Sequence, residues 1–220
     1  LEVDDSEVDE LVVPGYRAGE ARFDAERYPL AGGKNPKVSV YVAPLAGGAP
    51  RKVTLPGMDG RYLVSFSWEP TSAAFSLQAV ARDQRSVSFV RVDARSLATS
   101  VREIASDRRY AEALPMKRLE GSSGFVSIGV TGGHGHLELR DGQGAVEKVL
   151  TQGAWDVTQI SAIDEKNRVV YFVGTKDSPL ERNLYVVPLA GGEVRRVTPE
   201  PGVHVPVVDG ETGRYLDVHS

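Results

Sequence analysis

Apolar and polar residues alternate over short stretches along most of the chain, and clusters of turn-forming residues interrupt them about every 8–12 positions. The run Arg61-Tyr62-Leu63-Val64-Ser65-Phe66-Ser67-Trp68 is extended and is closed by Glu69-Pro70-Thr71-Ser72. Residues 74–80, 86–93 and 100–104 complete a set of four predicted strands, with Arg82-Asp83-Gln84 between the second and third. The plan returns at residues 157–163, 168–173, 183–188 and 194–198. There Asp164-Glu165-Lys166-Asn167 and Ala190-Gly191-Gly192 supply tight turns, since Gly and Asn accept the positive φ that hairpins need. Residues 106–119 break the alternation and predict a helical turn or a long loop. Nothing in the chain has the period of a heptad or of a long amphipathic helix.

One segment occurs twice. Tyr41-Val42-Ala43-Pro44-Leu45-Ala46-Gly47-Gly48 reappears as Tyr185-Val186-Val187-Pro188-Leu189-Ala190-Gly191-Gly192, and both run on to a basic pair and Val-Thr (Arg51 to Thr54, Arg195 to Thr198). Phe89-Val90-Arg91-Val92-Asp93-Ala94 and Leu137-Glu138-Leu139-Arg140-Asp141-Gly142 fill the same slot, so copies start at 41, 89, 137 and 185, a 48-residue period. Four strands per repeat at such a period predict an all-β, partial β-propeller of about four to five four-stranded antiparallel blades. A β-sandwich or an open meander is the alternative, but a sandwich has no reason to repeat at a fixed interval. The acids crowding residues 2–10 and a last segment that reads as a strand (Tyr215-Leu216-Asp217-Val218-His219-Ser220) suggest an arc cut from a longer ring. Open blade edges would pair with a second copy, as in a homodimer, or aggregate.

A formal net charge of −4, with basic residues scattered rather than striped, speaks against nucleic acid and anionic membrane as partners. No apolar run approaches the ~18 residues of a membrane-spanning helix. No signal peptide is visible, though a truncated start would have removed one. The absence of cysteine excludes disulfides and thiolate metal sites and leaves the compartment open.

Candidate chemistry is sparse. No G-x-S-x-G nucleophile turn occurs, and Gly121-Ser122-Ser123-Gly124 reads as a hairpin turn. His134 and His136 in Thr131-Gly132-Gly133-His134-Gly135-His136 share one face of a strand, a geometry that can chelate zinc with a third ligand from His204, His219 or a carboxylate. A Gly-rich turn entering a blade strand is the reading that the sequence favours, so no metal and no cofactor is expected. The acids of residues 2–10 lack the spacing and turn glycine of a calcium loop and read as a solvated strand. Trp68 and Trp155 fall near the first strands of their blades, where aromatics pack between blades rather than stack on a ligand.

Several motifs resemble the propeller of the dipeptidyl peptidase IV family of serine peptidases. Arg27-Tyr28-Pro29-Leu30-Ala31-Gly32-Gly33-Lys34-Asn35-Pro36-Lys37-Val38 is similar to the family's Tyr-Pro, Ala-Gly, Asn-Pro segment, and Asp4-Asp5-Ser6-Glu7-Val8 to the strand before it. Gly153-Ala154-Trp155-Asp156-Val157 matches a recurrent Gly-x-Trp-Glu/Asp-Val, and residues 170–185 look most like the subgroup of dipeptidyl peptidases eight and nine and bacterial homologues. The family's Ser-Glu-Arg-x-Gly-x-x-His-Leu-Tyr survives at 129–138 only as His136-Leu137. The resemblance implies that residues 1–220 are one segment of an N-terminal propeller, followed by an α/β-hydrolase domain with a Ser-Asp-His triad. The parent would remove Xaa-Pro or Xaa-Ala dipeptides from peptide N-termini. A glutamate pair that holds the substrate's ammonium would lie upstream of Leu1, since no Glu-Glu dipeptide occurs here. On that basis the chain alone carries no catalytic residue, walls the cavity and gates peptide substrates. Tyr110 is its candidate cavity-lining residue, a core role being the competing reading, and the subgroup leans toward the cytoplasm. A stand-alone peptide- or protein-binding module and an inactive peptidase homologue are the alternatives.

Overall fold

The computed structural model describes residues 1–17 and 20–220, and every regular element among them is a β-strand. Three successive sheets have four strands each, all antiparallel, with spatial order following chain order. The first is β7 (Tyr62–Trp68), β8 (Ala74–Val80), β9 (Ser86–Asp93) and β10 (Thr99–Ser106), after a smaller unit described below. The second is β11 (Met116–Arg118), β12 (Phe125–Thr131), β13 (His134–Arg140) and β14 (Val146–Val149). The third is β15 (Val157–Asp164), β16 (Val169–Gly174), β17 (Asn183–Pro188) and β18 (Arg195–Arg196). In the first and third, the strands match those that alternation predicts to within two residues, down to the last, β18. There Thr198 leaves the ladder and turns its hydroxyl to the Leu184 N–H.

Incomplete units flank the three blades. At the start, β1 (Glu2–Asp4) pairs with β4 (Lys37–Ser39), and β5 (Tyr41–Val42), resuming after Val40, pairs with β6 (Arg51–Lys52). Between β1 and β4 the chain leaves the unit as a long hairpin, β2 (Glu10–Arg17) and β3 (Glu20–Arg27), which pair only with each other. At the end, β19 (His204–Val208) and β20 (Tyr215–His219) form a two-stranded start of a fifth unit.

The repeat has a structural cause. The N–H groups of Val53, Leu150 and Val197 bond to the carbonyls of Val40, Leu137 and Leu184, one equivalent position in each unit. Gly47 and Gly191 close the same turn onto Pro44 and Pro188, and both have φ near +94° and +75°, a region only glycine enters freely. The end copies are thus 144 residues apart as the sequence indicates, but the middle copy sits one residue off. Glu138, not Leu137, occupies the slot of Tyr41 and Tyr185.

Apolar burial lies between blades rather than within one. Val126, Ile128, Leu137 and Leu150 of the second complete blade pack on Val157, Val170, Phe172, Tyr185 and Val187 of the third. Val40, Val53 and Met58 of the first unit pack on Phe75, Leu77, Ala79 and Val90. Phe89 stacks on Phe125 across the remaining junction, ring centroids 5.0 Å apart, with the Arg118 guanidinium over both rings. A blade alone would expose these surfaces, so neighbours stabilise one another.

Two sequence expectations are resolved here and one changes. Residues 107–115 form a loop with no helical turn, because their polar groups are tied to the preceding blade. Trp155 packs among His136, Phe172 and Tyr185 as expected. Trp68 does not: it is 53% exposed, touching Phe75 at the end of β7, where a bulge between Val64 and Ser67 turns the strand outward.

Candidate functional site

Tyr110 lies on the 107–115 loop, 50% exposed, and borders a cavity of about 730 Å³ between the first two complete blades. Its walls include Ala105, Glu112, Leu114, Glu138, Arg140 and Val157. A core role for Tyr110 is ruled out by that exposure.

The loop is fixed by short-range chemistry. Asp107 accepts hydrogen bonds from the Arg109 and Tyr110 N–H groups through one carboxylate oxygen, an Asx turn that holds its carboxyl below the usual range. Ala111 N–H bonds to the Gln84 carbonyl. Gln78, wholly buried on β8, pins the far end: its amide nitrogen donates to the Leu114 carbonyl and its oxygen accepts from the Leu114 N–H, both at 2.8 Å. Tyr110 donates its hydroxyl to Glu112, which pushes the phenol pKa up.

The cavity floor carries a buried ion pair. Glu138 and Arg140 are 7% and 4% exposed, and Arg140 Nη2 donates to Glu138 Oε2 at 2.5 Å. The guanidinium also reaches Ser127 Oγ, the Gly144 carbonyl and the Ile104 carbonyl, so four of its five N–H groups have partners. Gly129 is obligatory beside it, because a Cβ there would run into the Glu138 carboxylate. With Asp107 and Glu112 on the walls, and the Glu138 and Arg140 charges paired with each other, the cavity is suited to an amine, a cation or a hydrogen-bond donor. The sequence signal missed was the alternation Leu137-Glu138-Leu139-Arg140, whose charged positions point inward.

No catalytic constellation forms among the described histidines. His136 is buried and uses both ring nitrogens, on Thr151 Oγ1 and the Gly153 carbonyl, so it cannot join His134 in chelation. His134 Nδ1 faces Asp156, whose carboxyl is held down first by the Gly135 N–H and then by that imidazole. His204 and His219 lie elsewhere, on the last hairpin with Asp217. The early acids are likewise occupied. Glu7 is bound by Lys34 and Lys37, which lower its pKa to about 2, while Glu2 accepts from Tyr41 and Glu10 pairs with Arg27. Gly121 to Gly124 is the turn between β11 and β12, as expected.

The whole of residues 1–220 matches the family model described as the dipeptidyl peptidase IV (DPP IV) N-terminal region. A Botryotinia fuckeliana protein named "Probable dipeptidyl-aminopeptidase B" is 30% identical over 192 residues, covering 78% of this chain and 20% of that protein. "Dipeptidyl peptidase 4" of Arthroderma otae is 27% identical over 169 residues, covering 73% of this chain and 22% of its own length. Among solved structures, Porphyromonas gingivalis dipeptidyl peptidase 4 superposes with a TM-score of 0.84 at 23% identity, over 98% of this chain and 31% of that one. The chain thus spans about a fifth of the length of the curated relatives it matches.

Proposed function

The chain belongs to the family of the dipeptidyl peptidase IV N-terminal region, and from that membership we propose that it is a non-catalytic part of the β-propeller of a serine dipeptidyl peptidase. The intact protein would release Xaa-Pro or Xaa-Ala dipeptides from peptide N-termini by acyl transfer through a serine of a hydrolase domain outside this chain. The observation that carries this reading is the match of all 220 residues to the family model alongside relatives about five times longer.

In that protein the arc walls the chamber and filters peptides by size. Tyr110 is its substrate-facing group: an exposed phenol at the mouth of a cavity lined with carboxylates, on a loop braced by Asp107 and Gln78. The projecting β2–β3 hairpin, with Leu11, Val12, Val13 and Phe23 exposed, offers the surface for pairing with a second copy.

The test compares the intact protein with the 220-residue chain on a chromogenic Gly-Pro substrate. Turnover by the intact protein alone is the expected result, with Tyr110→Ala raising KM for longer peptides about 3–10-fold, about one bonding contact's worth. Silence from a folded intact protein would replace this reading with an inactive homologue or a binding module.

A further inference from the structure

The last hairpin brings together three potential metal ligands. His204 on β19 lies directly opposite His219 on β20, and Asp217, two residues back, shares their face. Asp217 Oδ2 is 2.6 Å from His204 Nδ1 and 3.4 Å from His219 Nδ1, and the two rings stack with centroids 4.9 Å apart.

The hydrogen bonds around the cluster fix one imidazole nitrogen and leave one carboxylate oxygen without a partner. His204 Nε2 is 2.9 Å from the Glu200 carbonyl, an acceptor only, so that nitrogen carries the hydrogen. The other ring nitrogen, Nδ1, points at Asp217 Oδ2. Asp217 Oδ1 is buried with no hydrogen-bond partner.

We propose that His204, Asp217 and His219 form a structural site for a divalent transition metal, with zinc as the occupant, that clasps the β19–β20 hairpin. Two imidazole nitrogens and one carboxylate oxygen are a zinc donor set, whereas calcium and magnesium take oxygen ligands. The three ligating atoms lie within 4.8 Å of one another. Tetrahedral ligation asks the His204–Asp217 contact to open to about 3.3 Å, given zinc–ligand distances of ~2.0 Å. The half-exposed His219 ring at the strand end can follow. The Glu200 carbonyl fixes the His204 tautomer, as outer-shell acceptors do for ligating histidines. This inference is independent of the peptidase reading.

Zinc titration of the chelator-treated intact protein, followed by calorimetry and thermal unfolding, tests it. One zinc per chain should bind and raise Tm, with no response to magnesium. His219→Gln and Asp217→Asn should each weaken binding at least about ten-fold, and His134→Gln should leave it unchanged. His219→Gln should keep its metal-free Tm, since the ring is half-exposed; if it does not, zinc-dependent amide protection confined to residues 204–208 and 215–219 of the wild type decides instead. Equal binding by the His219 and His134 variants, protection elsewhere, or no zinc binding would overturn the proposal.

Discussion

The second and third complete blades place opposite chemistries in the same slots. In β12–β13, Ser127 faces Glu138 and Phe125 faces Arg140; in β16–β17, Phe172 faces Tyr185 and Val170 faces Val187. The N–H bonds that align Leu137 with Leu184 make these positions equivalent. All four inward side chains of β13 and β17 are buried. The third blade fills the space with a Phe172–Tyr185 stack 5.5 Å between centroids, and the second with an ion pair that bonds to a serine and two backbone carbonyls. A propeller slot therefore tolerates either content, provided that the polar version finds hydrogen-bond partners. The difference also explains why the family's Tyr is absent at residue 138: a carboxylate stands there with its own partner.

Breaking each solution should cost a similar large amount for different reasons. Arg140→Ala leaves a buried carboxylate unpaired and should destabilise by about 3–5 kcal/mol, read by urea denaturation. Glu138→Leu with Arg140→Leu removes both charges and should stay within about 2 kcal/mol of the wild type; a double variant as unstable as the single would mean that the slots are not interchangeable. Phe172→Ala in the third blade should lose about 3–5 kcal/mol through the cavity it opens.

Smaller effects sharpen the comparison. Thr151 Oγ1 accepts from the Leu137 N–H at 2.9 Å and also meets His136, whereas Thr198 Oγ1 accepts from the Leu184 N–H at 3.2 Å. Thr151→Val should therefore cost about 1–3 kcal/mol and Thr198→Val about half of that, by the same assay. The smallest effect is at the junction of the two blades. Asp156 has its pKa lowered by the Gly135 N–H and by His134, so its stabilising contribution is present above the unfolded carboxylate range. That contribution is lost as pH falls through the lower folded value. Because the side chain is half exposed, Asp156→Asn should remove less than about 1 kcal/mol at pH 7 and should flatten the loss of stability as pH falls below the ordinary aspartate range of about 3.9.

Much of the fold was legible because strand alternation and turn residues are local properties. The limits 74–80, 86–93 and 183–188 were readable from side-chain periodicity alone, and observed strands β8, β9 and β17 share them. At 107–115 the sequence left a helical turn and a long loop open, since the anchor that decides is Gln78, thirty-six residues from Leu114. Trp68 and Trp155 looked alike in sequence and part company in the fold, because only Trp155 has a neighbouring blade's aromatics around it. Tyr110 could be named from the resemblance, but the acidic cavity beside it could not.

What the sequence by itself determined is the repeated four-stranded unit and its family, since both are written in short-range pattern and in motifs kept in order. The tertiary structure alone decided which polar residues go inside. Glu138 and Arg140 can be buried because the nearby Gly144 and the more distant Ser127 and Ile104 supply acceptors, and His204 meets Asp217 and His219 because one hairpin register brings them together. Burial of charge depends on partners brought together by folding, and spacing along a chain does not record them.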